Sequence, residues 1–315
     1  MGRGQMRADL ALWAFELLAI SLPSAMPRVV AVRYLNTAPL VEGLRAVEGL
    51  ELVPAAPSGI AGMVRSGQAD IGLCSLIDAA GSREPEAGDP VPLTLLPVGM
   101  IGCDGPTLTV RLYSTTPIEQ IERVHADTDS HTSVALTRVL LAERFGITPE
   151  LIDFDARERV ERSGGRGVEW PDALLMIGDK VVTDSPPAVR YPHQLDLGEA
   201  WHAWTGLPFV YAMWACRSAD AGSREVRAAA MLLDRQRRHN QTRLDWIVRT
   251  RAPEHRWPVD LAKTYLGRLL RYEVGPRELE AARRFAALAH KHGFAPGPHL
   301  RVAELPEAAE SAANT

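Results

Sequence analysis

Cysteine is scarce, with three residues in a chain of 315, too few and too odd in number for a disulfide framework. Cys74, Cys103 and Cys216 lie far apart, form no CxxC pair and sit among apolar or small residues. Buried free thiols in a reducing, cytoplasmic setting are therefore expected, and nucleophilic or metal-binding cysteines are not. Basic residues are not in excess either: 35 Lys and Arg face 39 Asp and Glu, for a formal net charge of -4. Such a chain has no general attraction for a phosphate backbone, and no basic stretch is interleaved with aromatics, which excludes nucleic acid as the expected partner. No GxGxxG fingerprint and no metal-ligand cluster occurs, so no cofactor and no metal are expected. His255, His290 and His292 lack HExxH spacing and read as solvated side chains, as does the basic cluster Arg235, Arg237 and Arg238. Beyond residue 25 no segment approaches the roughly 20 apolar residues that span a bilayer, so no membrane contact is expected.

The first 25 residues imitate a secretion signal, with Arg3 and Arg7 ahead of the apolar run Leu10 to Leu22. Asp9 and Glu16 interrupt that run, and charge in such a segment is costly to insert. Residues 1–25 are therefore expected to be an extension outside the folded core, and the Ala/Glu-rich tail 303–315 a frayed end.

What remains is long enough for two lobes with separate cores. Hydrophobic residues make up 46% and charged residues 23%, the proportions of a folded globular chain. Short apolar runs alternate with helical patterns, an α/β signature. Val29 to Val32, Leu50 to Pro54 and Gln68 to Leu73 read as strands, and a helix opens at Pro57-Ser58-Gly59 and stops at Gly67. Asn36 and Thr37 are placed to cap a helix with Pro39 in its first turn. Leu93 to Ile101 and Thr107 to Tyr113 read as further strands. His131-Thr132-Ser133 starts a helix running to Phe145 with Gly146 at its end, and Ala173 to Ile177 is a buried strand broken at Gly178-Asp179. Leu207 to Trp214 is a strongly apolar strand, and everything after Ser223 reads as helical apart from turns. This order suggests one lobe interrupted by another. Lobe 1 comprises 26–113 and 207–302, lobe 2 comprises 114–206, and the chain crosses near Arg111 to Thr116 and Trp204 to Phe209. Trp201 and Trp204 read as packing at that junction.

Several segments carry a more specific signal. Tyr34-Leu35-Asn36-Thr37-Ala38-Pro39-Leu40 resembles the YLNxxPL segment of the chorismate dehydratases of the futalosine route to menaquinone. Asp104 to Val110 resembles that family's DGPVxSV strand start, and Ser130-His131-Thr132-Ser133 its SRTS helix start. Ala173 to Asp179 resembles its strand ending IGD, and Trp201 with Thr205-Gly206-Leu207-Pro208-Phe209-Val210 its W…TGLPFVFA. Taken in order, these segments span the chain from Val29 to the carboxy-terminal helices. The resemblance implies a two-lobed, periplasmic-binding-protein-like (type 2) α/β fold with a ligand cleft between the lobes. It also implies a lyase that converts chorismate to 3-[(1-carboxyvinyl)oxy]benzoate. Thr109 and His131 depart from the family pattern, which has Ser and Arg there.

The residues suit that chemistry. Chorismate is a dicarboxylate, and backbone N–H groups at helix starts hold anions well. One start follows Asn36-Thr37; the other is His131-Thr132-Ser133, whose hydroxyls add hydrogen bonds. Loss of water aromatises the ring without hydride transfer, so the site must supply orientation, hydrogen bonding to the departing hydroxyl and a proton acceptor. Asn36 and Thr109 are the candidate catalytic residues. Neither is a base at neutral pH, so the substrate's enolpyruvyl carboxylate is the expected proton acceptor. Candidate substrate contacts are Tyr34, Thr37, Ser58, Ser75, Gly105, Ser130, His131, Thr132, Ser133, Asp179, Thr205 and Gly206. Asp179 reads equally as a general base or as an acceptor for loop N–H groups. The rival functions are the related 1,4-dihydroxy-6-naphthoate synthase and a non-catalytic solute binder of the same fold. A homodimer is left open.

Overall fold

A computed structural model describes residues 27–48, 50–155 and 170–304. The expected extension 1–25 lies outside the described residues, as does the tail from 305 onward. The tail's first expected residue, Ala303, instead donates its N–H to Leu95 O at the sheet.

The chain opens with β1 (Arg28–Ala31) and continues through β2 (Glu51–Pro54), α1 (Pro57–Arg65), β3 (Ile71–Ser75), β4 (Ala80–Gly81) and β5 (Leu93–Cys103). It then leaves for a second sheet, built from β6 (Val110–Ser114), β7 (Arg123–Asp127), β8 (Glu150–Phe154), β9 (Ala173–Ile177) and β10 (His193–Asp196). This sheet carries α2 (His131–Phe145) and α3 (Leu197–Thr205). The chain returns as β11 (Phe209–Arg217), followed by α4 (Arg224–Thr242), α5 (Leu244–Glu254), β12 (Leu270–Arg271), α6 (Pro276–Lys291) and β13 (His299–Val302). The first sheet has the order β2-β1-β3-β11-β5-β13-β4, with β12 also paired to β5; the second has the order β10-β6-β9-β7-β8.

Burial explains which runs became central strands. Every residue of β3 and β9 is buried, and β11 is nearly so, matching strands covered on both faces. β7, β8, β10 and β13 are shorter of apolar residues and partly exposed, which leaves them with weak periodic signals. β12 and β13 correct the expectation that the chain is helical throughout after Ser223: both segments pair with β5. The lobe boundary is corrected as well. Val110–Ser114 pairs with β9 and β10, so the first crossing precedes residue 110. The helix expected after Asn36-Thr37 is reduced to a 3-10 turn, Leu35–Thr37, and a four-residue helix, Ala38–Val41, with no side-chain cap.

The first crossing is tied to the start of α3 by the carboxylate of Asp196. This carboxylate accepts the N–H groups of Thr107 (2.9 Å) and Leu108 (2.7 Å) from the outgoing strand, and it caps α3 through the N–H groups of Gly198 and Glu199, each at 3.1 Å. Leu108 is held there at φ 72°, a left-handed conformation rarely taken by a branched side chain. Trp201 donates from Nε1 to Pro208 O (2.9 Å) and packs edge-on to Trp204 at 5.8 Å. One buried cluster runs through this hinge, from Ile60 and Val64 of α1 through Phe209 to Trp201 of α3 and Leu136 and Leu140 of α2.

Away from the hinge the lobes meet through polar contacts. His131 of α2 pairs with Asp78 at 2.8 Å, and Ile77 N–H donates to the buried Thr132 Oγ1 at 3.2 Å. His255 pairs with Asp179 at 2.8 Å, and Glu143 receives both Lys291 (2.6 Å) and His292 (2.7 Å). These histidines therefore bridge lobes and do not dangle in solvent. Arg237 is likewise buried, donating to Val98 O and pairing with Asp234, while Arg235 and Arg238 are exposed.

Candidate functional site

A cavity opens between the two lobes. On the lobe 1 side the turn after β1 brings in Tyr34 and Asn36, the end of β3 brings Ser75, and the hinge strand brings Thr107 and Thr109. Lobe 2 contributes Asp129, Ser130 and Ser133 from the start of α2, and Gly178 from the end of β9. Leu73, Ile101, Ile177 and Leu270 form an apolar lining between these polar groups. A mostly apolar pocket with a few convergent polar groups is the usual form of a small-molecule site.

At the start of α2, Ser130 takes extended backbone angles and its side chain accepts the N–H of Ser133 at 3.2 Å. Its hydroxyl also lies 3.0 Å from that of Ser133. The start of a fifteen-residue helix thus brings two hydroxyls to the cavity, a pair suited to hydrogen-bonding a carboxylate. On the opposite wall, Thr109 and Tyr265 place their hydroxyls 2.6 Å apart, and both residues are buried. Thr107 and Tyr211 do the same at 2.7 Å, with the thiol of Cys103 at 3.1 Å from Thr107 Oγ1. Burial pushes the Cys103 thiol up to about 12, so it stays protonated, and Cys216 is likewise pushed up to about 12.

Charge gathers at the rim. Asp129 accepts the Tyr34 hydroxyl and the ammonium of Lys180, the latter at 2.8 Å. Lys180 also pairs with the buried Asp127, whose carboxyl is raised by desolvation, against the pull of Lys180. Gly178 at φ 69° lets Tyr34 approach: a Cβ there would lie 3.0 Å from the phenol ring.

Of the residues singled out in the sequence, Tyr34, Asn36, Ser75, Thr109, Ser130 and Ser133 line this one cavity. Thr37 is buried behind Asn36, donating to its Oδ1 at 3.2 Å. Ser58 follows the lining residue Pro57 but is outside the lining itself. Gly105 packs at the hinge, where its carbonyl closely approaches Gly198. His131 and Thr132 face lobe 1 across the interface, engaged with Asp78 and Ile77, because helical spacing turns them away from Ser130 and Ser133. Thr205 and Gly206 end α3: the threonine bonds Trp201 O at 2.8 Å, and the glycine is the left-handed cap. Asp179 accepts Leu35 N–H and His255, not the loop N–H groups after Gly178, and so ties the lobes together beside the cavity. That contact occupies the first N–H of the 3-10 turn Leu35–Thr37, just ahead of the expected anion-binding start after Asn36-Thr37.

The sequence reading missed Asp129, Tyr211 and Tyr265. Asp129 stands directly before Ser130, where a carboxylate ahead of a helix start is a detectable signal. Tyr265 reaches the site from a distant helical segment with no motif to mark it.

A family model described as menaquinone biosynthesis matches residues 27–291. The chain belongs to that family. Among curated proteins, the family's likeness extends to the chorismate dehydratase of Thermus thermophilus, 30% identical over 237 residues that cover 70% of this chain and 79% of that protein. Among solved structures, the alkanesulfonate-binding protein SsuA of Xanthomonas axonopodis pv. citri superposes with a TM-score of 0.62 at 14% identity, covering 89% of this chain and 97% of that one. A Candida albicans protein described as having the generic periplasmic binding protein fold gives 0.61 at 14% identity, covering 86% and 91%. The menaquinone family member thus has the periplasmic-binding-protein fold expected from its sequence. Among the described residues no helix is long and apolar enough to cross a membrane.

Proposed function

We propose that the protein is a carbon–oxygen lyase that eliminates water from chorismate to give 3-[(1-carboxyvinyl)oxy]benzoate, in the cytoplasm. The observation that carries this reading is that Asn36 and Thr109 on one lobe and Ser130 and Ser133 on the other line a single cavity. Membership of a menaquinone-biosynthesis family and the likeness to a chorismate dehydratase support it. Buried free thiols among the described residues support the reducing compartment.

In this reading the two serine hydroxyls at the start of α2 hold one carboxylate of the substrate, favoured there by the helix dipole. The apolar lining receives the ring and excludes water, which strengthens each hydrogen bond in the site. Asn36 and Thr109 orient the ring and donate to the departing hydroxyl. The substrate's enolpyruvyl carboxylate takes the proton from the neighbouring ring carbon and passes it to the departing hydroxyl, which leaves as water as the ring becomes aromatic and the carboxylate is restored.

Purified protein incubated with chorismate is expected to form an aromatic enol ether lighter by one water, followed by absorbance and mass. Chorismate that stays bound and unchanged would overturn the lyase reading in favour of a binder. The Asn36→Ala variant is expected to lose roughly 100-fold or more in turnover, the scale for removing one aligned donor from a dry site.

A further inference from the structure

Tyr265 is fully buried and stands 156 residues downstream of Thr109, yet its hydroxyl meets Thr109 Oγ1 at 2.6 Å. It begins a π-helical turn, Tyr265–Leu269, an irregularity that concentrates at functional sites. Its ring is clamped by stacking on Trp257, with centroids 4.8 Å apart and planes inclined by 18°. The phenol oxygen therefore has a fixed address at the cavity wall. Burial raises the phenol well above its ordinary range, so the group stays an O–H.

Proton directions follow from the neighbours. Asn36 Oδ1 accepts the Thr37 hydroxyl, leaving the Asn36 amide N–H₂ as the donating end. The Tyr265 phenol carries a single proton, and its hydrogen-bond partner in the cavity wall is Thr109 Oγ1 at 2.6 Å. Thr109, accepting that proton, has its own O–H left for the cavity.

We propose that Tyr265 is a positioning residue that donates to Thr109 and so sets the Thr109 hydroxyl as a donor into the cavity. The inference rests on the dehydratase reading and deepens it. Without the phenol, Thr109 can turn its proton toward any local acceptor, and the leaving hydroxyl loses an aligned donor.

The test is a double-mutant cycle on chorismate turnover with Tyr265→Phe, Thr109→Val and the pair. Tyr265→Phe keeps the ring and its stack, so the thermal midpoint is expected to stay close to that of the wild type. Its kcat is expected to fall roughly 100-fold, the scale of a misplaced catalytic group, with KM little changed. Because Tyr265 acts through Thr109, the double variant is expected to be no slower than Thr109→Val alone. Wild-type turnover in Tyr265→Phe, or losses that multiply in the double variant, would overturn the inference and leave the dehydratase reading standing. So would a Tyr265→Phe variant whose loss of rate merely follows a lowered thermal midpoint, since that marks a packing role. A wild-type protein that leaves chorismate unchanged overturns the dehydratase reading, and this inference falls with it.

Discussion

The two lobes are joined in two ways, and the joints are built from different materials. At the hinge, one buried carboxylate, Asp196, gathers backbone N–H groups from the first crossing segment and from the start of α3 beside a continuous apolar cluster. Backbone amides do not titrate, and a site without water gives them full strength. Across the cleft mouth the lobes touch through histidine–carboxylate pairs that remain partly exposed, His131–Asp78 and His255–Asp179 among them. A permanent joint on one side and a separable one on the other is what a cleft that admits a ligand requires.

The sharpest way to break this comparison is to remove the hinge carboxylate. Asp196→Ala leaves the N–H groups of Thr107, Leu108, Gly198 and Glu199 without their acceptor, and each buried orphan costs about 1–3 kcal/mol. A loss of at least about 4 kcal/mol in denaturant unfolding is expected. A change no larger than that of an ordinary surface substitution would show that the hinge is not held there.

A smaller effect sharpens the same point. Thr107→Val strands the Tyr211 hydroxyl, which is buried beside the hinge, and is expected to cost about 1–3 kcal/mol. Adding Tyr211→Phe removes the stranded group as well, so the double variant is expected to be more stable than Thr107→Val alone. Unfolding free energies of the two variants check this, and a further loss in the double variant would contradict it.

The smallest effect lies at the mouth and depends on pH. The hydrogen bond that His131 donates to the Asp78 carboxylate raises the pKa of His131 above its ordinary value, against desolvation. The imidazolium is therefore favoured by folding, and the contribution is fully present below the unfolded value of about 6.5 and is lost as pH rises through the folded value. The thermal midpoint of wild type over His131→Gln is expected to be higher near pH 6 and to converge with it near pH 8.5. A difference that stays constant, or grows with pH, would remove His131–Asp78 from the mouth's pH response.

The contrast also explains what was legible in the sequence. Strands such as β3, β9 and β11 announce themselves because they are apolar along their length, and α2 because Gly146 and Ser130 mark its ends. Asn36, Thr109 and Ser133 were found because they sit in compact motifs at the ends of such elements. His131, Thr132 and Asp179 came from the same motifs but serve the mouth, since adjacent positions on a helix or turn face different ways. Nothing local distinguishes a residue that lines the cavity from its neighbour that meets the other lobe. Tyr265 and Tyr211 are legible only once the sheet order brings distant segments together.

That order has a further consequence for how the molecule is made. β3 and β5 do not pair with each other; the gap between them is filled by β11, which is synthesised only after the whole of lobe 2. A nascent chain that has emerged through β5 therefore exposes two long apolar edges with no strand to cover them, the form most prone to pairing with a neighbouring chain. Lobe 2 is one unbroken segment from β6 to α3 and completes its sheet from its own residues. All the strands of the inserted lobe are therefore synthesised before β11, the strand that seals the older amino-terminal half.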